Sequence, residues 1–301
     1  MLTVMTGGTR GLGRDAAARI VRADQAMSGQ SKMRHIVGVR TAGAAVEGWT
    51  ALPLDLNSLD SVRAFVAALP DEPIARLILN AGGQRPDAST RTQDGFETTF
   101  GSNHLAHYLL LRLLMPRLAP GARIVITSSG THDPAEKTGV PPPRHADAQK
   151  LAFPEQDEAL DASPIAAGMR AYSTSKLCNL LTAKALAQSA AAQDQNWQVF
   201  AYDPGLTPGT GLARDQPWVV RHLIWPLLPL FVPFAKTMNR LSDAGRGLSD
   251  LATVTSPPTG RIYAALRKGK LTWPDPSTLA QDEGVMQKLW TDSAVLVQLP
   301  D

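Results

Sequence analysis

Cysteine is almost missing from this sequence, and its scarcity excludes two kinds of site. The one cysteine, Cys178, can form neither a disulfide within the chain nor a cysteine-cluster metal site. No metal site is therefore predicted. Such low cysteine content suits a reducing compartment, and we expect a cytoplasmic protein.

A long uninterrupted apolar run is also missing. The most apolar stretch, 218–234, is broken by Arg221, His222 and three prolines, so no bilayer span is predicted. The apolar segment 1–5 runs directly into glycines, which fits a buried strand and not a signal peptide. Shallow contact with a membrane surface, with Arg221 and His222 near the headgroups, is an alternative for 218–234.

Neither sign of charge dominates. The chain has 30 Lys and Arg against 27 Asp and Glu, and the basic residues are scattered, so no nucleic-acid partner is predicted. A chain of 301 residues with 44% hydrophobic residues can bury a core on both faces of a sheet. Since α/β chains of this size often form one unit, we predict a single domain over 1–301.

Short apolar runs alternate with longer helical patterns along the chain, which is typical of βαβ units. Strands are predicted at 2–6, 35–39, 49–52, 77–79, 123–127, 198–202 and 260–264. Helices are predicted at 12–21, 58–69, 95–118, 171–191, 243–253 and 279–297. This order predicts an α/β Rossmann fold, with a doubly wound seven-stranded parallel sheet and helices on both faces.

Two proline-rich stretches interrupt the alternation. The first, 130–170, contains six prolines, and the second, 206–240, mixes prolines with large apolar side chains. Long irregular segments in compact domains are usually functional. We interpret the first as an insertion and the second as a hydrophobic lid, both of them walls of a substrate pocket. Alternatively, the apolar side chains of 206–240 simply pack on the core.

A glycine-rich turn joins the first predicted strand to an alanine-rich helix. Glycines permit a tight turn and close backbone approach, and the N–H groups that begin a helix attract a pyrophosphate. A dinucleotide cradle is therefore predicted here, against the alternative of an ordinary turn. Its residues are Gly7, Thr9, Arg10, Gly11, Leu12 and Gly13.

No acidic residue ends the second predicted strand, where NAD sites usually hold the ribose 2′-hydroxyl. Arg40 stands there instead, and Arg10 lies in the glycine turn. Two arginines can clamp a 2′-phosphate through charge-assisted hydrogen bonds, so NADP(H) is the predicted cofactor. The alternative is that both arginines are merely solvated.

Two more segments follow strands at the sheet edge where ligands bind in such folds. Asp55 and Leu56 follow the third strand, and Asp55 either accepts from an adenine amino group or caps the helix near Ser58. The fourth strand is followed by Asn80, Ala81 and Gly82, for which an ordinary turn is the alternative.

Tyr172 and Lys176 lie four residues apart at the start of a helical pattern, and therefore on one face. An ammonium beside a phenol lowers the phenol's pKa from its usual value of about 10, which favours proton transfer near neutral pH. Ser128 and Ser129 end the fifth strand, where a hydroxyl can hold a substrate carbonyl beside the tyrosine.

Asn103 lies inside a long apolar helical pattern, where a buried amide must find polar partners. It either bridges a helix irregularity or orients a water towards Lys176. His104 and His107 are interpreted as structural histidines with satisfied hydrogen bonds, with catalysis as the alternative.

Together these motifs resemble the short-chain dehydrogenase/reductase family over nearly the whole chain. The resemblance implies that Tyr172 is the general acid and that Lys176 lowers its pKa and holds the nicotinamide ribose. It further implies that Ser129, as the second serine of the pair, polarises the carbonyl, and that Asn103 supports a water relay. Pro204, Gly205 and Thr207 are implied to lie beside the nicotinamide and phosphates.

A narrower resemblance is to light-dependent protochlorophyllide reductases and, in several features, to retinol dehydrogenases. It includes the 43-residue spacing from Ser129 to Tyr172 and the segment Gly139-Val140-Pro141-Pro142. Cys178 falls where the pigment reductases carry a cysteine, although a small buried helix residue is the other interpretation. The pair Ser128-Ser129 differs from the Gly-Ser typical of the pigment reductases.

These observations predict hydride transfer between NADP(H) and a carbonyl or alcohol of a bulky hydrophobic small molecule. Light-driven reduction of a pigment C=C bond is one alternative. A non-catalytic NADP(H)-binding protein is another, although such proteins typically lose the Tyr, Lys and Ser set. Monomer and homodimer both stay open, because family members often pair through the helices at 95–118 and 171–191 and the insertions could block this.

Overall fold

The computed structural model describes residues 1–26, 33–41, 43–44, 46–208 and 238–300. Of the predicted lid at 206–240, residues 209–237 lie outside the described residues. Within the described part, no helix is both long enough and apolar enough to cross a membrane.

An eight-stranded sheet forms the centre of the described structure, in the order β3-β2-β1-β4-β5-β6-β7-β8. Its strands are β1 (Leu2–Thr6), β2 (Arg34–Val39), β3 (Thr50–Pro53), β4 (Ile74–Leu79), β5 (Leu118–Thr127), β6 (Gln198–Asp203), β7 (Tyr263–Arg267) and β8 (Lys270–Thr272). The first seven pair in parallel. Strand order reverses between β1 and β4, which opens a crevice at their carboxyl ends. The predicted doubly wound α/β fold is confirmed.

The predicted strand count was too low by one, because β8 pairs antiparallel with β7. Lys268 and Gly269 join these strands with φ values of 49° and 71°. Two consecutive left-handed residues form the tight hairpin turn that suits a twisted sheet. The seventh strand was also predicted three residues too early, since a turn from Pro258 to Arg261 precedes it.

Helices cover both faces of the sheet, as predicted. They are α1 (Gly11–Ala26), α2 (Leu59–Ala68), α3 (Thr98–Phe100), α4 (Ala106–Leu114), α5 (Ala148–Ala152), α6 (Pro164–Gln188), α7 (Ala190–Asp194), α8 (Leu241–Thr253), α9 (Thr278–Gln281) and α10 (Glu283–Leu296). One apolar cluster joins α1 and α8 to one sheet face, and the other joins α2, α4, α6 and α10 to the opposite face. Val4 and Met5, adjacent on β1, enter different clusters because strand side chains alternate.

Several predicted helix bounds were wrong, and caps or prolines explain most of the differences. The predicted helix 95–118 is interrupted by a π-helical turn, Gly101–Leu105, and ends at Leu114 before Pro116. Ser163 caps α6, which therefore begins inside the predicted insertion 130–170. Asp282 caps α10 and divides the predicted helix 279–297.

Helix α10 packs along α6 and contacts the π-helical turn and α4 through two hydrogen bonds. His104 Nε2 lies 3.1 Å from Ser293 Oγ, and the Tyr108 hydroxyl donates to the Trp290 carbonyl at 2.8 Å. His104 is thereby bonded and buried, and burial lowers its pKa to about 3. Its predicted structural role is confirmed.

We expect the free energy of unfolding to decrease as pH falls below about 6.5. Burial lowers the pKa of His104 to about 3 and that of His107 to about 4, so both are neutral in the folded protein. The unfolded chain binds protons at higher pH, which costs up to about 1.4 kcal/mol per histidine and pH unit. Urea unfolding at neutral pH and at about pH 5 measures this slope. His104→Gln should reduce it, and a slope unchanged in that variant contradicts the assignment.

Candidate active site

A cleft with a volume of about 640 Å³ follows the carboxyl ends of the strands. Every predicted site residue lines it. The cofactor candidates are Gly7, Thr9, Arg10, Gly11, Leu12, Gly13, Arg40, Asp55, Leu56, Asn80, Ala81, Gly82, Pro204, Gly205 and Thr207, and the catalytic candidates are Asn103, Ser129, Tyr172 and Lys176. Residues from six strand ends thus meet in one continuous space.

The glycine turn packs without room for side chains. A Cβ on Gly13 would lie 2.0 Å from the Gly7 carbonyl oxygen, and one on Gly7 would lie 2.7 Å from Ala81 Cα. Gly7 also has a φ of 71°, in the left-handed region that glycine tolerates. Close packing leaves the start of α1 facing the cleft, where its unpaired N–H groups suit a pyrophosphate.

Asn80 ties together the ends of three strands beneath this turn. Its amide nitrogen donates to the Gly7 carbonyl at 3.2 Å, and its amide oxygen accepts from the Thr127 hydroxyl at 3.1 Å. The Thr6 hydroxyl accepts from the backbone N–H groups of Asn80 and Ala81. Asn80 therefore shapes the floor of the cleft, and sequence analysis missed the roles of Thr6 and Thr127.

At one end of the cleft the lining is basic. Arg10 and Arg40 are both exposed and both line it. Asp55 holds the turn before α2, since its carboxylate accepts from the Asn57 backbone at 3.0 Å and side-chain amide at 3.1 Å. Ser58, and not Asp55, caps α2.

Tyr172, Ser129 and Lys176 meet at the other end. The Ser129 side chain lies near the Tyr172 hydroxyl and acts to lower its pKa, while Ser129 Oγ accepts from the Thr131 N–H at 3.3 Å. Ser128 instead donates to the Lys176 carbonyl at 2.8 Å. Lys176 Nζ donates to the Thr127 carbonyl at 3.2 Å and lies 5.7 Å from the centre of the Tyr172 ring.

The pKa of Tyr172 differs in direction from the prediction. Burial and the Asp203 carboxylate raise the pKa of Tyr172 to about 12, and only the neighbouring Ser129 side chain opposes them. Burial also lowers the pKa of Lys176 to about 8. Desolvation disfavours both charged forms, and here it exceeds the attraction expected from the ammonium. At neutral pH Tyr172 is therefore a protonated phenol, which is the form that donates a proton.

Asn103 lies in the π-helical turn. A helix irregularity, one of the two interpretations of its buried amide, is therefore present at this residue. Its side chain accepts from the Gly83 N–H at 2.9 Å and donates to the Gly83 carbonyl at 2.8 Å. It also donates to Ser175 Oγ at 3.0 Å. Asn103 thus links the loop after β4 to α6, the helix that carries Tyr172 and Lys176.

His107 is hydrogen-bonded to the backbone of Asn103 and to Thr6. Its Nε2 lies 2.9 Å from the Thr6 hydroxyl, and its Nδ1 lies 3.1 Å from the Asn103 carbonyl. Because the carbonyl can only accept, Nδ1 carries the proton and Nε2 accepts from Thr6. The prediction of a bonded structural histidine is confirmed.

Cys178 does not line the cleft. It is fully buried in the apolar cluster around α4 and α6, and burial raises the pKa of its thiol. The interpretation as a small buried helix residue is confirmed.

Comparison with known proteins adds to this geometry. A family model for short chain dehydrogenase matches residues 2–139. The chain is 32% identical to protochlorophyllide reductase A, chloroplastic, of Hordeum vulgare, over 99% of this chain and 80% of that protein.

Solved structures show the same fold. An uncharacterized protein from Mycobacterium Paratuberculosis is 27% identical, with a TM-score of 0.69 over 99% of this chain and 93% of that one. The angucycline C-6 ketoreductase LanV with bound NADP is 20% identical, with a TM-score of 0.56 over 84% of this chain and 88% of that one.

Proposed function

Because the chain belongs to the short-chain dehydrogenase/reductase family of oxidoreductases, we propose that it transfers hydride between NADP(H) and a carbonyl or alcohol group of a bulky hydrophobic substrate. One observation carries this proposal. The Tyr172 hydroxyl and the Ser129 side chain lie near each other beside a buried Lys176, in the same cleft as the glycine turn.

NADP(H) is the cofactor, and the residues present fit it. Any Cβ on Gly13 would overlap the Gly7 carbonyl, so the turn is shaped for close backbone approach of a ligand. Arg10 and Arg40 offer positive charge to a 2′-phosphate, while the end of β2 offers no carboxylate to a 2′-hydroxyl. LanV, a ketoreductase of the same fold, binds NADP, which supports this choice.

When bound, NADPH supplies the hydride, and this chain supplies position and a proton. Tyr172, protonated at neutral pH, donates its proton to the substrate oxygen. Ser129 donates a hydrogen bond to the same oxygen, and the Lys176 ammonium provides positive charge close to the phenol. Asn103 keeps the loop after β4 in place against α6.

The paired hydroxyls favour a carbonyl over a C=C bond as the acceptor. Two neighbouring hydroxyls can both bond one substrate oxygen, which carries lone pairs in two directions. Protonation of carbon requires only one donor, and Ser129 has no comparable role in it.

Apolar residues at this end of the cleft support the proposal of a bulky hydrophobic substrate. Leu206 lines the cleft and pairs with Met238. The sequence between them is rich in large apolar residues. The insertion contributes Thr138 and Val140 to the same cleft. Apolar side chains beside the polar and charged groups of this end suit a lipophilic ketone or aldehyde.

Reduction of a pigment C=C bond is the second candidate, because the Hordeum vulgare relative is named a protochlorophyllide reductase. In that reaction Tyr172 would be the proton donor to carbon. Cys178 has no path to the substrate, since its side chain lies in the core.

We expect the purified protein to oxidise NADPH in the dark when given lipophilic ketones and aldehydes, and to use NADH much less well. Absorbance of the reduced cofactor measures both rates across a substrate panel. Protochlorophyllide with NADPH, kept dark or illuminated, is the parallel assay. Product formed only under illumination, with no carbonyl turnover in the dark, would contradict carbonyl reduction. It would support reduction of a pigment C=C bond instead.

A monomer is the proposed assembly. Helix α10 packs along α6 and bonds to Tyr108 of α4 through the Trp290 carbonyl, and Lys184 of α6 donates to the Gln281 carbonyl at 2.9 Å. Pairing of two chains through these helices would require α10 to move away.

A further inference from the structure

Three charged side chains meet at the reactive end of the cleft, and none of them was predicted from the sequence. Asp203 ends β6, Arg267 ends β7, and Glu136 lies in the short turn Pro134–Glu136 that follows Ser129. Arg267 Nη1 donates to Asp203 Oδ2 at 2.8 Å, and Arg267 Nη2 donates to Glu136 Oε1 at 2.6 Å. All three residues line the cleft.

Asp203 also fixes the turn that follows β6. Its Oδ1 accepts from the Gly205 N–H at 2.9 Å, and its Oδ2 accepts from the Tyr263 hydroxyl at 3.3 Å. The Asp203 side chain is only 1% exposed, so its charge depends on Arg267 for compensation. Asp203, Arg267 and Glu136 together form a charged bridge. Its Asp203 end therefore holds Pro204 and Gly205 at the cleft.

The three charged side chains of the bridge lie close to the backbone of Gly130, the residue that follows Ser129. A Cβ on Gly130 would lie 3.0 Å from Asp203 Oδ2, 3.4 Å from Arg267 Nη2 and 3.7 Å from Glu136 Cγ. The backbone after Ser129 thus packs directly on all three charged side chains. Little room for a side chain is therefore left at the residue adjacent to Ser129.

His132 provides a second attachment for the same segment. Its Nδ1 donates to the Ser129 carbonyl at 2.7 Å, and its Nε2 accepts from the Ser277 N–H at 3.3 Å. Its ring packs edge-on against Tyr263, which is bonded to Asp203. The segment after Ser129 is therefore held on one side by His132 and on the other by Arg267.

We infer that Arg267 is a positioning residue, whose guanidinium joins 203–205 to 130–136 and thereby keeps the Ser129 hydroxyl in reach of Tyr172. Its catalytic consequence rests on the proposed function. Arginine suits this role because its planar group presents separate N–H donors to two carboxylates in fixed directions. A lysine ammonium keeps the charge but lacks that fixed fork.

The test compares two bridge variants with two matched controls. Arg267→Lys removes the fork, and Glu136→Gln removes one charge from a side chain that is 24% exposed and so tolerates substitution better. Arg261→Lys and Glu155→Gln change exposed ion pairs outside the cleft, with Asp275 and Arg91.

Hydrogen exchange of the ligand-free protein is the readout that needs no turnover. The Asp133 and Lys137 amides bond to carbonyls within 130–136, so they report on this segment. We expect about tenfold faster exchange there in both bridge variants. With a carbonyl substrate, kcat should fall about tenfold or more, while KM and the Kd of NADPH change less than about threefold. Both controls should match the wild type.

Wild-type exchange and wild-type kcat in a folded bridge variant would overturn the inference, as would equal losses in the controls. If the bridge only stabilises the fold, the bridge variants should have a lower melting temperature, and kcat should not fall while KM stays constant. That result too would contradict the inference. If the wild type reduces no carbonyl compound, the proposed function fails, and the exchange rates still decide whether Arg267 holds this segment.

Discussion

Tyr172→Phe should reduce turnover by about a thousandfold while NADPH still binds. The substitution removes the hydroxyl that donates the proton, and a positioned general acid typically accounts for a factor of this order. The ring remains, so the wall of the cleft keeps its shape. Steady-state kinetics give the loss of kcat, and fluorescence titration of NADPH should give a Kd within about threefold of the wild type.

Tyr202→Phe is the matched control for this variant. Its hydroxyl is as deeply buried and donates to the Ala244 carbonyl at 2.8 Å, but Tyr202 does not line the cleft. Loss of that hydrogen bond should cost about 1 kcal/mol of stability and leave turnover unchanged. Equal inactivation of both variants would show that losing any buried hydroxyl is harmful, and full activity of Tyr172→Phe would remove Tyr172 from the reaction.

The parts of the site that were predicted from the sequence are those whose signal lies within a few residues. The glycine turn is a continuous strand, turn and helix, and Tyr172 and Lys176 share one helical face because they are four residues apart. The sheet edge then brings these segments together, since parallel strands all end on the same side. Local patterns and the fold class were therefore sufficient to place them in one cleft.

The parts that were missed depend on contacts between distant positions. Arg267 bonds to Asp203 and Glu136, which lie 64 and 131 residues away in the chain. Only the order β5-β6-β7 makes the ends of these segments neighbours. No periodicity in the sequence around Arg267 indicates its contacts with Asp203 and Glu136. A lone arginine at a strand end is usually interpreted as a solvated residue.

The direction of the Tyr172 pKa shift could not be predicted from the sequence either. The spacing to Lys176 correctly gave the neighbouring ammonium, which on its own would lower the pKa. The magnitude of burial and the charge of Asp203 could not be read from that spacing, and together they raise the pKa to about 12. Sequence identified the groups, and only the three-dimensional arrangement determined the sign of the shift.

Arg40→Ala should weaken NADPH binding by about a hundredfold and leave the affinity for NADH almost unchanged. NADPH and NADH differ at the ribose 2′ position, so only the phosphate can lose a charge-assisted hydrogen bond. Arg40 is exposed, and salt should therefore weaken the preference for NADPH in the wild type. Fluorescence titration with each cofactor, at low and high ionic strength, measures both effects.

Arg34→Ala is the matched control, because Arg34 begins the strand that Arg40 follows. Its side chain is 52% exposed and pairs with Glu72 at the opposite edge of the sheet, so neither cofactor affinity should change. A parallel loss of NADPH and NADH affinity in Arg40→Ala would mean that Arg40 contacts a part common to both cofactors. In that case the discrimination between them would have to come from Arg10, which is the other cationic side chain predicted to clamp the 2′-phosphate.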